Sequence, residues 1–213
     1  MTGVSRHTHV KLVRHPQTDW NRAGRHQSRT DRPLTSFGEA RARAVASRLR
    51  AGSFTAIISS GLSRTDDLAC MVSEGHPHLS GFARDGRWRE MDHGLWEGLT
   101  YSEVVARYGP QARKRFADFW HSRVHGGESG ADLWSRVEAA WGELLDRHDG
   151  GRVLVVTHAT PMRLLLCSAL GLPFGSHWQL RVDLGGITSL DVYPSGTIVR
   201  TLNEVPPLER GVR

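Results

Sequence analysis

The run Val153-Leu154-Val155-Val156 constrains the fold more than any other feature of this chain. It follows Gly150-Gly151, ends at Thr157-His158, and Pro161 stands three residues further on. Consecutive apolar residues without alternation fit a strand covered on both faces, as in a sheet held between layers of helices. Proline is tolerated in the first turn of a helix, where its missing N–H would be unpaired anyway. Met162 to Leu170 carries that helix on. The unit reads as strand, polar turn, helix.

The same order recurs upstream. His9 to Arg14 reads as a strand that runs into an aperiodic loop over 15–35. Ser36-Phe37-Gly38-Glu39 predicts a capping box with Ser36 or Thr35 as the cap. Ala40, Ala44, Val45 and Leu49 follow at helical spacing, and Gly52 closes the helix. Phe54 to Ser60 predicts a second strand, and Leu62 to Glu74 a second helix on the apolar positions Leu68, Met71 and Val72. A short strand is expected near Arg84 to Trp88. Residues 93–128 are irregular and rich in Gly, Arg and aromatics, with helices expected at 100–108 and 110–121. They read as a cap inserted into the domain. Leu133, Val137, Trp141 and Leu144 share one helical face, and 177–202 predicts two or three closing strands. The predicted class is α/β, three layers α/β/α with a mainly parallel sheet and an inserted cap segment. One domain is expected over 1–203, with a flexible tail over 204–213 that contains Pro206-Pro207.

Such sheets bind ligands beyond the C-terminal ends of their strands. Three predicted strands end in polar signals: Arg14-His15, Ser59-Ser60 with Arg64 just beyond, and Thr157-His158. Arginine offers a planar fork of donors that matches phosphate oxygens. A histidine beside arginines is held neutral, with a lone pair available for attack. The pattern points to a clamped anion and an imidazole nucleophile.

The formal net charge is +6, but the basic residues are dispersed and only Lys11 and Lys114 are lysines. Nucleic-acid binding, which needs a concentrated patch, is therefore not expected. No apolar run reaches the ~20 residues of a membrane span. Met1 to His9 lacks a signal-peptide core, so a cytoplasmic location is expected. Cys70 and Cys167 read as core thiols. His7-x-His9 and His76-x-His78 lack Cys or carboxylate partners in sequence and read as solvated rather than as metal ligands. Trp96, Trp134 and Trp141 read as packing residues.

Leu12-Val13-Arg14-His15-Pro16-Gln17-Thr18-Asp19-Trp20-Asn21 resembles the signature of the histidine phosphatase superfamily, also called phosphoglycerate mutase-like. Further segments match in family order: Arg25-His26-Gln27-Ser28 with Asp31-Arg32-Pro33-Leu34-Thr35, then Ser59 to Thr65, Trp88-Arg89-Glu90, Gly94 to Thr100, Gly126-Gly127-Glu128-Ser129, and Val155 to His158 followed by Arg163. The resemblance implies a phosphomonoesterase of the phosphatase branch that acts on a small phosphorylated metabolite, such as a sugar or nucleoside phosphate. It implies His15, Glu90 and His158 as catalytic residues: His15 the nucleophile that becomes phosphohistidine, Glu90 the proton donor. Arg14, Asn21, Arg64 and His158 would bind the phosphate. No metal and no cofactor are implied, and a homo-oligomer is compatible with it.

The sequence also departs from the family pattern. Pro16 stands where relatives have glycine, Gln17 where they have glutamate, and Ala159-Thr160-Pro161 where glycines are common. None removes a catalytic side chain. Asp92 and Glu97 rival Glu90 as the acid. The competing functions are phosphoglycerate mutase-type transfer and non-catalytic phosphate binding on the same scaffold. Tyr101, Tyr108, Phe116, Phe119 and Trp120 give the cap aromatic surface, either to contact a leaving group or to anchor the cap.

Overall fold

A computed structural model describes residues 7–208. Along the chain run β1 (Thr8–Arg14), α1 (Asp19–Arg22), α2 (Ser36–Leu49), β2 (Ala56–Ser59), α3 (Ser63–Glu74), β3 (Ala83–Arg84), α4 (Tyr101–Ala117), α5 (Gly130–Arg147), β4 (Arg152–Thr157), α6 (Ala159–Leu170), β5 (Ile187–Tyr193) and β6 (Gly196–Glu204). The strands form one sheet in the order β3-β2-β4-β1-β5-β6. The first four in that order are parallel, and β5 and β6 close the edge antiparallel.

Strand alternation sorts the core. Val10, Leu12, Val153 and Val155 pack with Leu133 and Val137 of α5 and Met162 and Leu166 of α6. Val13, Leu154, Val156 and Ile57 point the other way, onto Val45 and Leu49 of α2 and Leu68 and Val72 of α3. Each such side chain contributes ~1.5–3 kcal/mol when fully buried. A one-residue slip would exchange the two faces, so the register is strongly specified. The α/β expectation, with helices on both faces of a mainly parallel sheet, holds.

Several local expectations shift. The cap of α2 is Thr35, whose hydroxyl accepts from Gly38 N–H at 3.0 Å; Gly38 occupies the third helical position, so Glu39 closes no box. A Cβ on Gly38 would stand 2.1 Å from Gln17 O, so only glycine lets α2 approach the loop after His15. Gly86 to Trp88 is a 3-10 turn rather than strand, and so is Phe174 to Gln179. The two helices expected in the cap are one, α4, kinked at Tyr108 (φ −128°, ψ 29°) ahead of Pro110 and ending at Ala117 instead of 121. Pro110 brings no N–H to the helix ladder. The helix placed from Met162 starts earlier, at Ala159.

The segment expected to fray beyond Asn203 stays in β6 to Glu204, and the buried Pro206 carbonyl accepts from Arg41; residues 209–213 lie outside the described residues. Of the two expected core thiols, Cys167 is buried and Cys70 is exposed. His76, expected in solvent, is buried, with its ring nitrogens on Val72 O and Gly52 O. Among the described residues no helix is long and apolar enough to cross a membrane.

Candidate active site

Parallel pairing of β1 with β4 sets Arg14 opposite Thr157, and His15 N–H donates to Thr157 O at 2.9 Å. The residues that follow each strand are therefore neighbours, at about the spacing of adjacent strands. The rings of His15 and His158 meet edge to face with centres 5.0 Å apart. His15 Nδ1 lies 2.7 Å from Pro16 O. A carbonyl only accepts, so Nδ1 carries the proton and Nε2 keeps its lone pair. Burial, then the Arg64 and Arg14 guanidiniums, hold the His15 pKa well below its ordinary value, against the opposing pull of the Pro16 carbonyl. His158 is depressed in the same direction by burial, Arg64, His15 and Arg14. Its Nε2 stands 2.8 Å from Ser60 Oγ at the end of β2. When that hydroxyl donates, the ring proton sits on Nδ1.

Arg64 and His158 are wholly buried and do not line the open cavity, although both are expected phosphate ligands. Arg64 donates to Ser28 O at 2.8 Å and Thr30 O at 3.0 Å. Burial lowers its pKa to about 10, which leaves it charged at neutral pH. Arg14 donates to Val182 O at 2.8 Å. Three buried nitrogens of this group have no partner among the described residues: Arg14 Nε, Arg64 Nε and His158 Nδ1. A buried donor without a partner calls for an explanation, a bound anion or a catalytic role among them. Asn21 is held by its own helix cap: its Oδ1 accepts from Thr18 N–H and Thr18 Oγ at 3.0 Å each, so what it can present is its NH2.

A cavity of about 610 Å³ opens here, with Arg14, His15, Asn21, Glu90 and Arg163 on its walls. Glu90 accepts from Met91 N–H at 2.7 Å and Thr160 N–H at 3.3 Å, the latter in the first turn of α6. The backbone beneath it is clamped. Thr157 Oγ donates to Trp88 O at 2.6 Å, and Arg136 donates to Arg87 O, Arg89 O and Glu90 O at 2.7, 2.8 and 2.9 Å. Arg136 also forks onto Glu128, at 2.8 Å for each contact. Of the rivals, Glu97 is consumed by Ser28 and Thr30; burial alone would raise its pKa, but those hydrogen bonds win and hold it down. Asp92 lines the cavity but pairs with Arg29 at 2.6 Å and accepts from Gly94 N–H.

The cap has a small core of its own, Trp96, Val104, Ala112 and Val124 with Leu99 and Tyr108. Its aromatics divide: Phe116 and Phe119 reach the cavity, Tyr108 joins the cap core, Trp120 stacks on Phe174 at 4.5 Å, and Tyr101 is 62% exposed. Trp96, read as packing alone, also forms cavity wall. Sequence reasoning missed Arg136, His93 and His177. Glu128 lay inside a quoted motif, and Arg136 follows it by eight residues, two turns along α5, which was the available signal. His93 and His177 belong to the cap and its surroundings, where no short-range periodicity marks a cavity.

His26 and His93 also line the cavity, with ring centres 4.8 Å apart. Burial first, and then His93, lowers the His26 pKa to about 4. Unfolded histidine protonates near 6.5. A native state with depressed histidines is fully stabilised above that pH and loses stability as pH falls toward the folded pKa. Between about pH 7.5 and 5.5 we expect His26 alone to cost roughly 1 kcal/mol, discounted for its partial exposure, with His15 and His158 adding in the same direction. Urea unfolding at the two pH values measures this. A flat profile, or one unchanged in His26→Gln, would contradict it.

The histidine phosphatase superfamily (branch 1) model matches residues 10–205 of the chain. Phosphoserine phosphatase 1 of Hydrogenobacter thermophilus is 32% identical over 193 residues, 90% of each chain. A probable phosphoglycerate mutase, GpmB, of Salmonella choleraesuis is 34% identical over 205 residues, 94% of each. Among solved structures, the alpha-ribazole phosphatase of Shigella flexneri superposes with a TM-score of 0.84 at 25% identity, covering 95% of this chain and 100% of that one.

Proposed function

The chain belongs to the histidine phosphatase superfamily (branch 1), and from that premise we propose that it hydrolyses a small phosphomonoester by way of phosphohistidine at His15. One observation carries the reading: beside an imidazole whose tautomer leaves Nε2 unprotonated stand His158, its ring centre 5.0 Å away, and the Arg14 and Arg64 guanidiniums that lower the His15 pKa, each of the three with a buried nitrogen that has no partner among the described residues. A phosphoryl group supplies acceptors for all three. Arg14, Arg64, His158 and the Asn21 amide hold its oxygens, and the α6 N-terminus beside Thr160 favours its charge.

His15 Nε2 attacks phosphorus in line. The N–P bond forms as the ester P–O bond breaks, and Glu90 gives its proton to the leaving alkoxide. Glu90, now carboxylate, takes a proton from water as that water attacks the phosphohistidine. Phosphate leaves, His15 returns neutral, and Glu90 is protonated again. The protein's own cations balance the charge throughout. Pro16 does not obstruct this, because its carbonyl rather than an N–H is what His15 uses.

The similarity to a probable phosphoglycerate mutase favours a second reading, transfer to another hydroxyl in place of water. A screen of phosphorylated metabolites for free phosphate separates the two: phosphate release supports the hydrolase, and interconversion of phosphoglycerates with little free phosphate supports the mutase. For the leaving group, Phe116, Phe119 and Trp96 put aromatic side chains into the cavity wall, Phe119 already stacked on His177 at 3.8 Å. We expect a ring-bearing phosphate, such as a sugar or nucleoside phosphate, to exceed a short linear ester about tenfold in kcat/KM. That needs only ~1.4 kcal/mol of differential transition-state binding. A flat profile would leave those side chains as anchors of the cap.

A further inference from the structure

At the opposite end of β1, His7, His9 and Asp191 bring one ligand atom each within 4.8 Å of one another. Alternate residues of a strand share one face, so His7 and His9 stand side by side, with ring centres 4.2 Å apart. Asp191 sits directly across from His9 on β5. Opposed residues on neighbouring strands hold their Cβ atoms about 5 Å apart, so the pleat itself gathers the three. Tyr193, two residues beyond Asp191, stacks on His7 at 4.5 Å and orients its ring. Asp191 is buried, its side chain 2% exposed, and lies 2.6 Å from His9 Nδ1.

We propose that His7, His9 and Asp191 form a peripheral site for a divalent transition-metal ion of the zinc class. Two imidazoles and one carboxylate are a common donor set for such ions, which accept one or more waters to complete the shell. Tetrahedral ligands about 2.05 Å from zinc stand roughly 3.3 Å from one another. The three atoms lie within 4.8 Å of one another, and His9 Nδ1 and Asp191 Oδ1, now 2.6 Å apart, would exchange their hydrogen bond for the ion. Two cations oppose the ion on this face. Arg200 donates to Asp191 Oδ2 at 2.8 Å, and Lys11 follows His9 on the same pleat, bonded to Ser189. Arg200 leaves Oδ1 as the ligand. His15 lies six residues along the strand from His9, about 20 Å away, so the site is separate from phosphoryl chemistry.

The test uses the full chain without a polyhistidine tag, titrated with zinc chloride by calorimetry and with cobalt(II) by its visible absorption. One equivalent should bind, with the intense bands of a low-coordinate cobalt site. His7→Ala and Asp191→Asn should each weaken binding more than about a hundredfold, beyond the ~10–100-fold that loss of an outer-shell partner costs. Arg200→Gln should tighten it several-fold, an effect that a purely structural ion pair does not produce. Hydrolysis of an aryl phosphate should be the same with zinc bound and after chelation, which keeps this result apart from the active-site reading. No binding by the wild-type chain, binding that survives both His7→Ala and Asp191→Asn, or weaker binding in Arg200→Gln would overturn the proposal.

Discussion

Replacement of His15 by alanine is expected to lower kcat at least ~10⁴-fold, the scale seen when a covalent nucleophile is removed. No neighbour can take its place. His158 is wholly buried, with one nitrogen on Ser60. Glu90 is held by the Met91 and Thr160 N–H groups that its carboxyl accepts from, in the place proposed for the general acid. The variant should fold, because among the described residues the only side-chain hydrogen bond of His15 is to Pro16 O and its ring borders a cavity that is already open. Inorganic phosphate should still bind within several-fold of wild type, since Arg14, Arg64 and His158 remain. The signature is therefore lost turnover with retained anion binding, followed by phosphate release and by calorimetry on the same preparation. A variant that keeps most of its activity would remove His15 from the chemistry.

Glu90→Gln carries the second large effect. Esters with poor alkoxide leaving groups should lose ~10²–10⁴-fold, the usual contribution of a positioned general acid. An aryl phosphate leaves with little help from a proton, so its first step should slow far less. Hydrolysis of phosphohistidine still needs the carboxylate as base. The expected trace for nitrophenyl phosphate is therefore a burst of nitrophenol of about one enzyme equivalent and a slow steady state after it. Glutamine can still accept from Met91 N–H, and Arg136 holds the backbone from the other side, so the residue stays in place. Equal slowing of the burst for both ester types would move the acid to Asp92, since Glu97 is already occupied by Ser28 and Thr30.

The parts of the site legible in sequence are those that the sheet positions. Arg14-His15 and Thr157-His158 follow adjacent parallel strands, and once the strands are recognised the pairing brings the residues together. Arg64 was legible as a residue but not as a buried one. Its burial comes from Ser28 O and Thr30 O, supplied by an aperiodic loop. Arg136 had a sequence signal only in its spacing from Glu128; its clamp on Glu90 had none, because it joins α5 to a turn 46 residues away. Cys70 was misjudged because a short helix face has several orientations compatible with its pattern, and only packing on β2 selects one; His76 lies past the end of α3, where no period applies, and Val72 O, Gly52 O and the Phe54 ring fix its place. The cap was least legible. Its aromatic residues carry no period that separates cavity wall from internal core, so Phe116 and Tyr108 looked alike in sequence and differ in place.

The central claim is that the phosphoryl group passes through His15. Mixing the enzyme with excess nitrophenyl phosphate, quenching in alkali where phosphohistidine survives, and mapping the peptides by mass spectrometry tests it directly. The expected result is one phosphate per chain, on the peptide containing His15, formed within the first turnover and absent from His15→Ala. A phosphate mapped consistently to another residue, or turnover with no phosphorylated peptide under conditions that preserve a synthetic phosphohistidine standard, would contradict it.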